Sequence, residues 1–75
     1  MDEMIAALVA SLMQDIIAEP RNCVNMRKAK EIAKRLLRGN LRDDVVLRNL
    51  VFIRSRMSNM FIYDRLTTLI ERLEG

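Results

Sequence analysis

The 75-residue chain contains no histidine and no tryptophan, a single cysteine, a single proline and two glycines. Without histidine it lacks the commonest general base and the commonest metal ligand at once. Cys23, alone, forms no internal disulfide, which excludes a stapled secreted scaffold and fits a reducing cytoplasm. With no imidazole beside it, a thiol-dependent enzyme built on Cys23 is disfavoured against a small half-buried apolar side chain, although its place near the start of a helix would favour a thiolate. Gly-rich phosphate loops, paired CxxC motifs and Ser-His-Asp sets are absent, and the carboxylates stand at helix starts or beside cations. The expectation is a protein that is not an enzyme, with no cofactor, no metal and no small-molecule substrate. No long hydrophobic run occurs either. Met1-Asp2-Glu3 is acidic where a secretory signal carries positive charge, and the apolar stretch from Met4 stops at Gln14-Asp15, too short to cross a bilayer. Neither export nor membrane insertion is expected.

What is present is a hydrophobic fraction of 51% arranged with helical periodicity. From Glu3 to Ala18, the residues Ile5, Leu8, Val9, Leu12, Met13, Ile16 and Ile17 recur at the spacing of one amphipathic face. Pro20, in the run Glu19-Pro20-Arg21-Asn22, ends this helix and places a tight turn there, because it lacks an amide hydrogen and pushes the preceding residue out of helical geometry. A second helix is predicted from about Asn22 to Arg38, with Met26, Ala29, Ile32, Ala33, Leu36 and Leu37 inward. Ala29 and Ala33 would let a neighbour approach closely, and Glu31 stands four residues from both Arg27 and Arg35, the spacing of helical ion pairs. Gly39 suits a left-handed helix terminus, and Asn40 or Asp43 suits the cap of the next helix.

The third helix, about Leu41 to Met57, carries Asp43 and Asp44 in its first turn, where the dipole favours carboxylates. Val46, Leu50, Ile53 and Met57 form its inward stripe, while Val45, Leu47, Val51 and Phe52 exceed one stripe. Ser58-Asn59 supplies cap chemistry for a fourth helix running to about Leu73, with Ile62, Leu66, Leu69, Ile70 and Leu73 inward and Glu74-Gly75 fraying. The predicted fold is therefore all-α: one domain over residues 1–75, with four short helices as two antiparallel hairpins forming a bundle. At an offset of 37 residues, Val9 falls on Val46, Met13 on Leu50, Ile16 on Ile53, Asn22 on Asn59, Ala29 on Leu66, Ile32 on Leu69, Ala33 on Ile70 and Leu36 on Leu73. The halves read as one hairpin used twice, although part of this agreement is common to any amphipathic hairpin.

Three surfaces carry functional colour. A chain this short is marginally stable alone, so the surplus apolar residues Val45, Val51 and Phe52 are candidates for self-association, as a homodimer or with another protein partner. The methionines Met4, Met13, Met26, Met57 and Met60 suit either core filling or an adaptable groove, and core filling is the ordinary use. With 13 Lys and Arg against 10 Asp and Glu, net charge is +3. Arg21, Arg27, Lys28, Lys34, Arg35 and Arg38 gather on one arc of the second helix, with Arg48, Arg54 and Arg56 on the third. Such an arc can neutralise phosphates, so RNA or DNA binding is the alternative function. Only Phe52, Phe61 and Tyr63 are aromatic, and no base-reading motif accompanies the arc.

Pro20-Arg21-Asn22 and Met26-Arg27-Lys28-Ala29, together with Asn49, Met57-Ser58-Asn59-Met60, Tyr63, Arg65 and Leu73-Glu74, give the chain a family likeness. It resembles small uncharacterised archaeal helical-bundle proteins in which a Pro-Arg-Asn turn precedes an Ile-Arg-Arg-Ala helix start. That resemblance implies an archaeal, cytoplasmic helical bundle and brings no activity with it.

Overall fold

A computed structural model describes residues 2–20, 24–39 and 42–75. Four helices follow one another: α1 (Glu3–Ala18), α2 (Val24–Arg38), α3 (Asp43–Arg56) and α4 (Met60–Glu74). The chain is all-α, as its periodicity predicts. Asp2 caps α1, its Oδ1 accepting from the amides of Met4 at 2.7 Å and Ile5 at 3.3 Å. Asn59 caps α4 in the same way, with Oδ1 accepting from Phe61 at 3.0 Å and Ile62 at 3.2 Å. Glu19 leaves α1 at φ −58°, ψ 124°, the extended geometry that a following proline imposes.

Helix ends differ from expectation in three places. Asp43 is the first residue of α3 rather than its cap; Arg42 holds that position with no side-chain capping bond, and Asn40 lies outside the described residues. No glycine among the described residues takes positive φ, so Gly39 ends α2 without the left-handed turn. Glu74 remains helical, and the Gly75 amide donates to the Glu71 carbonyl at 2.9 Å, which holds the last turn closed.

Each helix packs on two others: α1 on α2 and α4, and α3 on α2 and α4, while α1 and α3 face each other diagonally, as do α2 and α4. Three contacts between the ends of the chain set the direction of α1 against α4. The Asn59 amide donates to Glu19 Oε2 at 3.0 Å, Arg65 pairs with Asp15 at 2.5 Å, and Leu8 shares a hollow with Arg72. Residue numbers rise on one helix as they fall on the other, so α1 and α4 are antiparallel and close the ring. The Cα radius of gyration of 11.2 Å matches the roughly 11 Å of a single packed domain of this length.

The core is wholly apolar, with no buried polar or charged residue among those described. Val9, Leu12, Met13 and Ile16 come from α1; Met26, Ala29, Ile32, Ala33 and Leu36 from α2; Val46, Leu50 and Ile53 from α3; and Ile62, Leu66, Leu69 and Ile70 from α4, with Met57 plugging the α3–α4 turn. The residues 37 apart occupy equivalent places: Val9 and Val46, Met13 and Leu50, Ile16 and Ile53, Ala29 and Leu66, Ile32 and Leu69, and Ala33 and Ile70 are all buried. Leu73 is half-buried opposite fully inward Leu36. Two expected core residues lie at the rim instead, Leu8 at 40% and Leu37 at 38% exposure. Each stands at the edge of an apolar arc wider than the strip its two neighbouring helices cover.

Candidate functional site

The solvent side of α2 is almost entirely cationic. Val24–Arg38 holds six Lys and Arg against a single Glu31, whereas α1 holds Glu3, Asp15 and no cation. Lys30 belongs to the fold. It is half-buried, and its Nζ donates to the Glu19 carbonyl, meeting the negative end of the α1 dipole and turning that flank of α2 toward α1. Arg27, Lys28, Lys34, Arg35 and Arg38 are all exposed, and none has an ion-pair or hydrogen-bond partner among the described residues. The expected pairing of Glu31 with Arg27 and Arg35 does not form there, which leaves their charge uncompensated. Arg21 lies outside the described residues, as does Cys23.

At about 100° per residue, Arg27, Lys34 and Arg38 share the outermost arc, while Lys28 and Arg35 lean to the flank away from Lys30 and therefore toward α3. The arginines of α3 divide. Arg54 donates to Thr67 Oγ1 at 3.3 Å and lies 5.9 Å from the Tyr63 ring centre, so its flank faces α4 and it leaves the cationic surface. Arg56, on the opposite flank, faces α2 and lies 4.8 Å over the ring of half-buried Phe52. That contact covers the ring and holds the guanidinium on the α2 side, at a distance typical of a cation–π pair. Arg48 is exposed on the outer arc of α3. Six described cations beyond Lys30 thus converge on the α2–α3 side, together with Arg48. Among the described residues, no three Cys, Asp or Glu side chains come close enough together to hold a metal ion.

The residues proposed from sequence for self-association do not form one patch. Val45 and Phe52, seven residues apart, lie in a row, but Val51 is rotated by about 100° from Phe52 and about 120° from Val45. Phe52 is also half-buried beneath Arg56, whereas Val45 and Val51 are 36% and 40% exposed. Of the five methionines weighed for a groove, Met13, Met26 and Met57 fill the core; Met4 and Met60 are 68% and 63% exposed.

The side away from the cations has a different character. A hollow of about 280 Å³ opens between α1 and α4, floored by Leu8, Leu12 and Leu69 and rimmed by Asp64, Arg65, Thr68 and Arg72. Sequence reasoning missed it. Its signal is the lack of charge on α1, where no residue between Met4 and Gln14 is ionisable. At the start of α3, Arg42 bonds Asp44 at 3.0 and 3.3 Å, and this hydrogen-bonded guanidinium holds the Asp44 pKa below the usual carboxylate value.

Among known proteins, no family model, no curated protein and no solved structure matches the chain. No helix of the described residues is long and apolar enough to cross a membrane.

Proposed function

We propose that the chain is a non-enzymatic helical interaction module whose working surface is the cationic α2–α3 side, and that its partner is the phosphate backbone of RNA or DNA. The observation that carries this reading is the set of five exposed cations on α2 that have no partner among the described residues: Arg27, Lys28, Lys34, Arg35 and Arg38. Cations left unpaired along a helix about 22 Å long hold their charge available for an external polyanion, and binding releases the counterions condensed on it. Phe52 is covered by Arg56, which leaves this surface without an open stacking platform. Contacts of this kind fix position on a strand and do not read bases, so binding is independent of sequence.

A reducing cytoplasm suits the lone thiol of Cys23, and the likeness to archaeal bundles supports an archaeal origin. Fluorescence anisotropy with labelled single and double strands tests the reading. About four phosphate contacts should make affinity fall about a hundredfold between about 50 and about 200 mM salt, equally for unrelated sequences. Arg27→Glu with Lys34→Glu should remove most of the binding. Undetectable affinity at the lower salt, or affinity indifferent to the double substitution, overturns the proposal.

A further inference from the structure

The α1–α4 side carries an exposed aromatic ring and, further along the same face, an apolar hollow. Phe61, in the first turn of α4, is 85% exposed, the most solvent-exposed large apolar side chain of the described residues. It stands four residues before Arg65 and seven before Thr68, and those two residues rim the hollow over Leu8, Leu12 and Leu69. Ring and hollow therefore share one face, with the ring about 10 Å along α4 from the middle of the hollow. Met4, one turn before Leu8, extends the apolar floor at the far end.

We propose that this face joins two copies of the chain about a two-fold axis, each copy's Phe61 seating in the partner's hollow. A two-fold axis lying in the plane of the interface and crossing the helices exchanges the ends of the face, so a ring at one end and a hollow at the other on every copy meet twice. Three observations favour a second copy as the occupant. The hollow, at about 280 Å³, is at the lower edge of the roughly 300–1,000 Å³ of small-molecule clefts and suits a side chain. The axis crosses the face near Asp15 and Arg65, whose opposite charges pair at 2.5 Å, so the copies do not bring unpaired like charges together there. The face, about 24 Å long and about 20 Å wide, gives roughly 1,000 Å² over two copies, the lower bound for a specific interface. An interface of this size belongs with weak, reversible pairs, and it turns the repelling α2 cations of the copies away from each other.

Sedimentation equilibrium of the full chain tests this. The wild type should pass from monomer to dimer over micromolar concentrations, and Phe61→Lys should weaken association by at least ~100-fold, since an aromatic ring is lost from each of two contacts. Val51→Glu, on the outer side of α3, should leave it unchanged. Leu8→Glu alone should also be monomeric, and mixing it with Phe61→Lys should restore a heterodimer, in which one native contact is kept and Lys faces Glu at the other. A wild-type monomer at high micromolar concentration, a dimer insensitive to Phe61→Lys, or a mixture that stays monomeric each overturns the inference. Phe61→Lys alone is decisive if Leu8→Glu fails to fold, because an 85% exposed side chain contributes little to the monomer's core.

Discussion

Two lysines four residues apart on α2 do opposite work. Lys30 donates to the last carbonyl before Pro20, while Lys34 has no partner among the described residues. Lys30→Ala should lower stability by about 1 kcal/mol in a urea melt, a discounted charged hydrogen bond, and leave nucleic-acid affinity nearly unchanged. Lys34→Ala should do the reverse. Asp44 offers a test in pH. Its folded pKa is depressed by Arg42, so the pair stabilises the protein above the ordinary carboxylate range and loses that contribution as pH falls through the folded value. In an NMR titration, Arg42→Ala should raise the Asp44 midpoint toward that of a free carboxyl.

At the scale of the helix, the turns separate what sequence could show from what it could not. Asn59 was legible as a cap, because a short side-chain oxygen ahead of an apolar run satisfies amides that no helix can. Its second bond, the amide donated to Glu19 across 40 residues, depends on the ring closing and has no local signal. Asn59→Ala should cost about 1–2 kcal/mol in thermal unfolding. Asn59→Asp keeps the cap oxygen and sets a carboxylate against Glu19, so it should still be destabilising. Gly39 is the opposite case. Composition suggests a left-handed terminus, yet its φ is not positive, and among the described residues an added Cβ would meet the Arg35 carbonyl at 3.6 Å, an ordinary van der Waals contact. Gly39→Ala should therefore be neutral or raise stability by up to about 1 kcal/mol, by restricting the unfolded chain. The inward stripes were readable because 3.6-residue periodicity is a property of each helix alone. The hollow between α1 and α4 was not, because it needs the pairing of the first helix with the last.

Over the whole molecule, charge and oil are sorted to opposite sides. The α2–α3 side carries the uncompensated cations, and α1 presents Met4, Ala7, Leu8 and Ser11 to solvent with no charge between Glu3 and Asp15. Residues 37 apart take matching places around the ring, yet two of the pairs on α2 and α4 differ greatly in size. Ala29 and Ala33 occupy on α2 the positions that Leu66 and Ile70 occupy on α4, all of them at 0–2% exposure. A ring built from two first hairpins would leave voids at four alanines, and one built from two second hairpins would crowd four branched side chains into that space. Either half expressed alone should therefore stay largely unfolded by circular dichroism, while an equimolar mixture of fragments 1–39 and 40–75 should recover helix. Bulk in one half and its lack in the other thus act as a lock between unlike pieces, and a newly made first half has to wait for a second half before it can close.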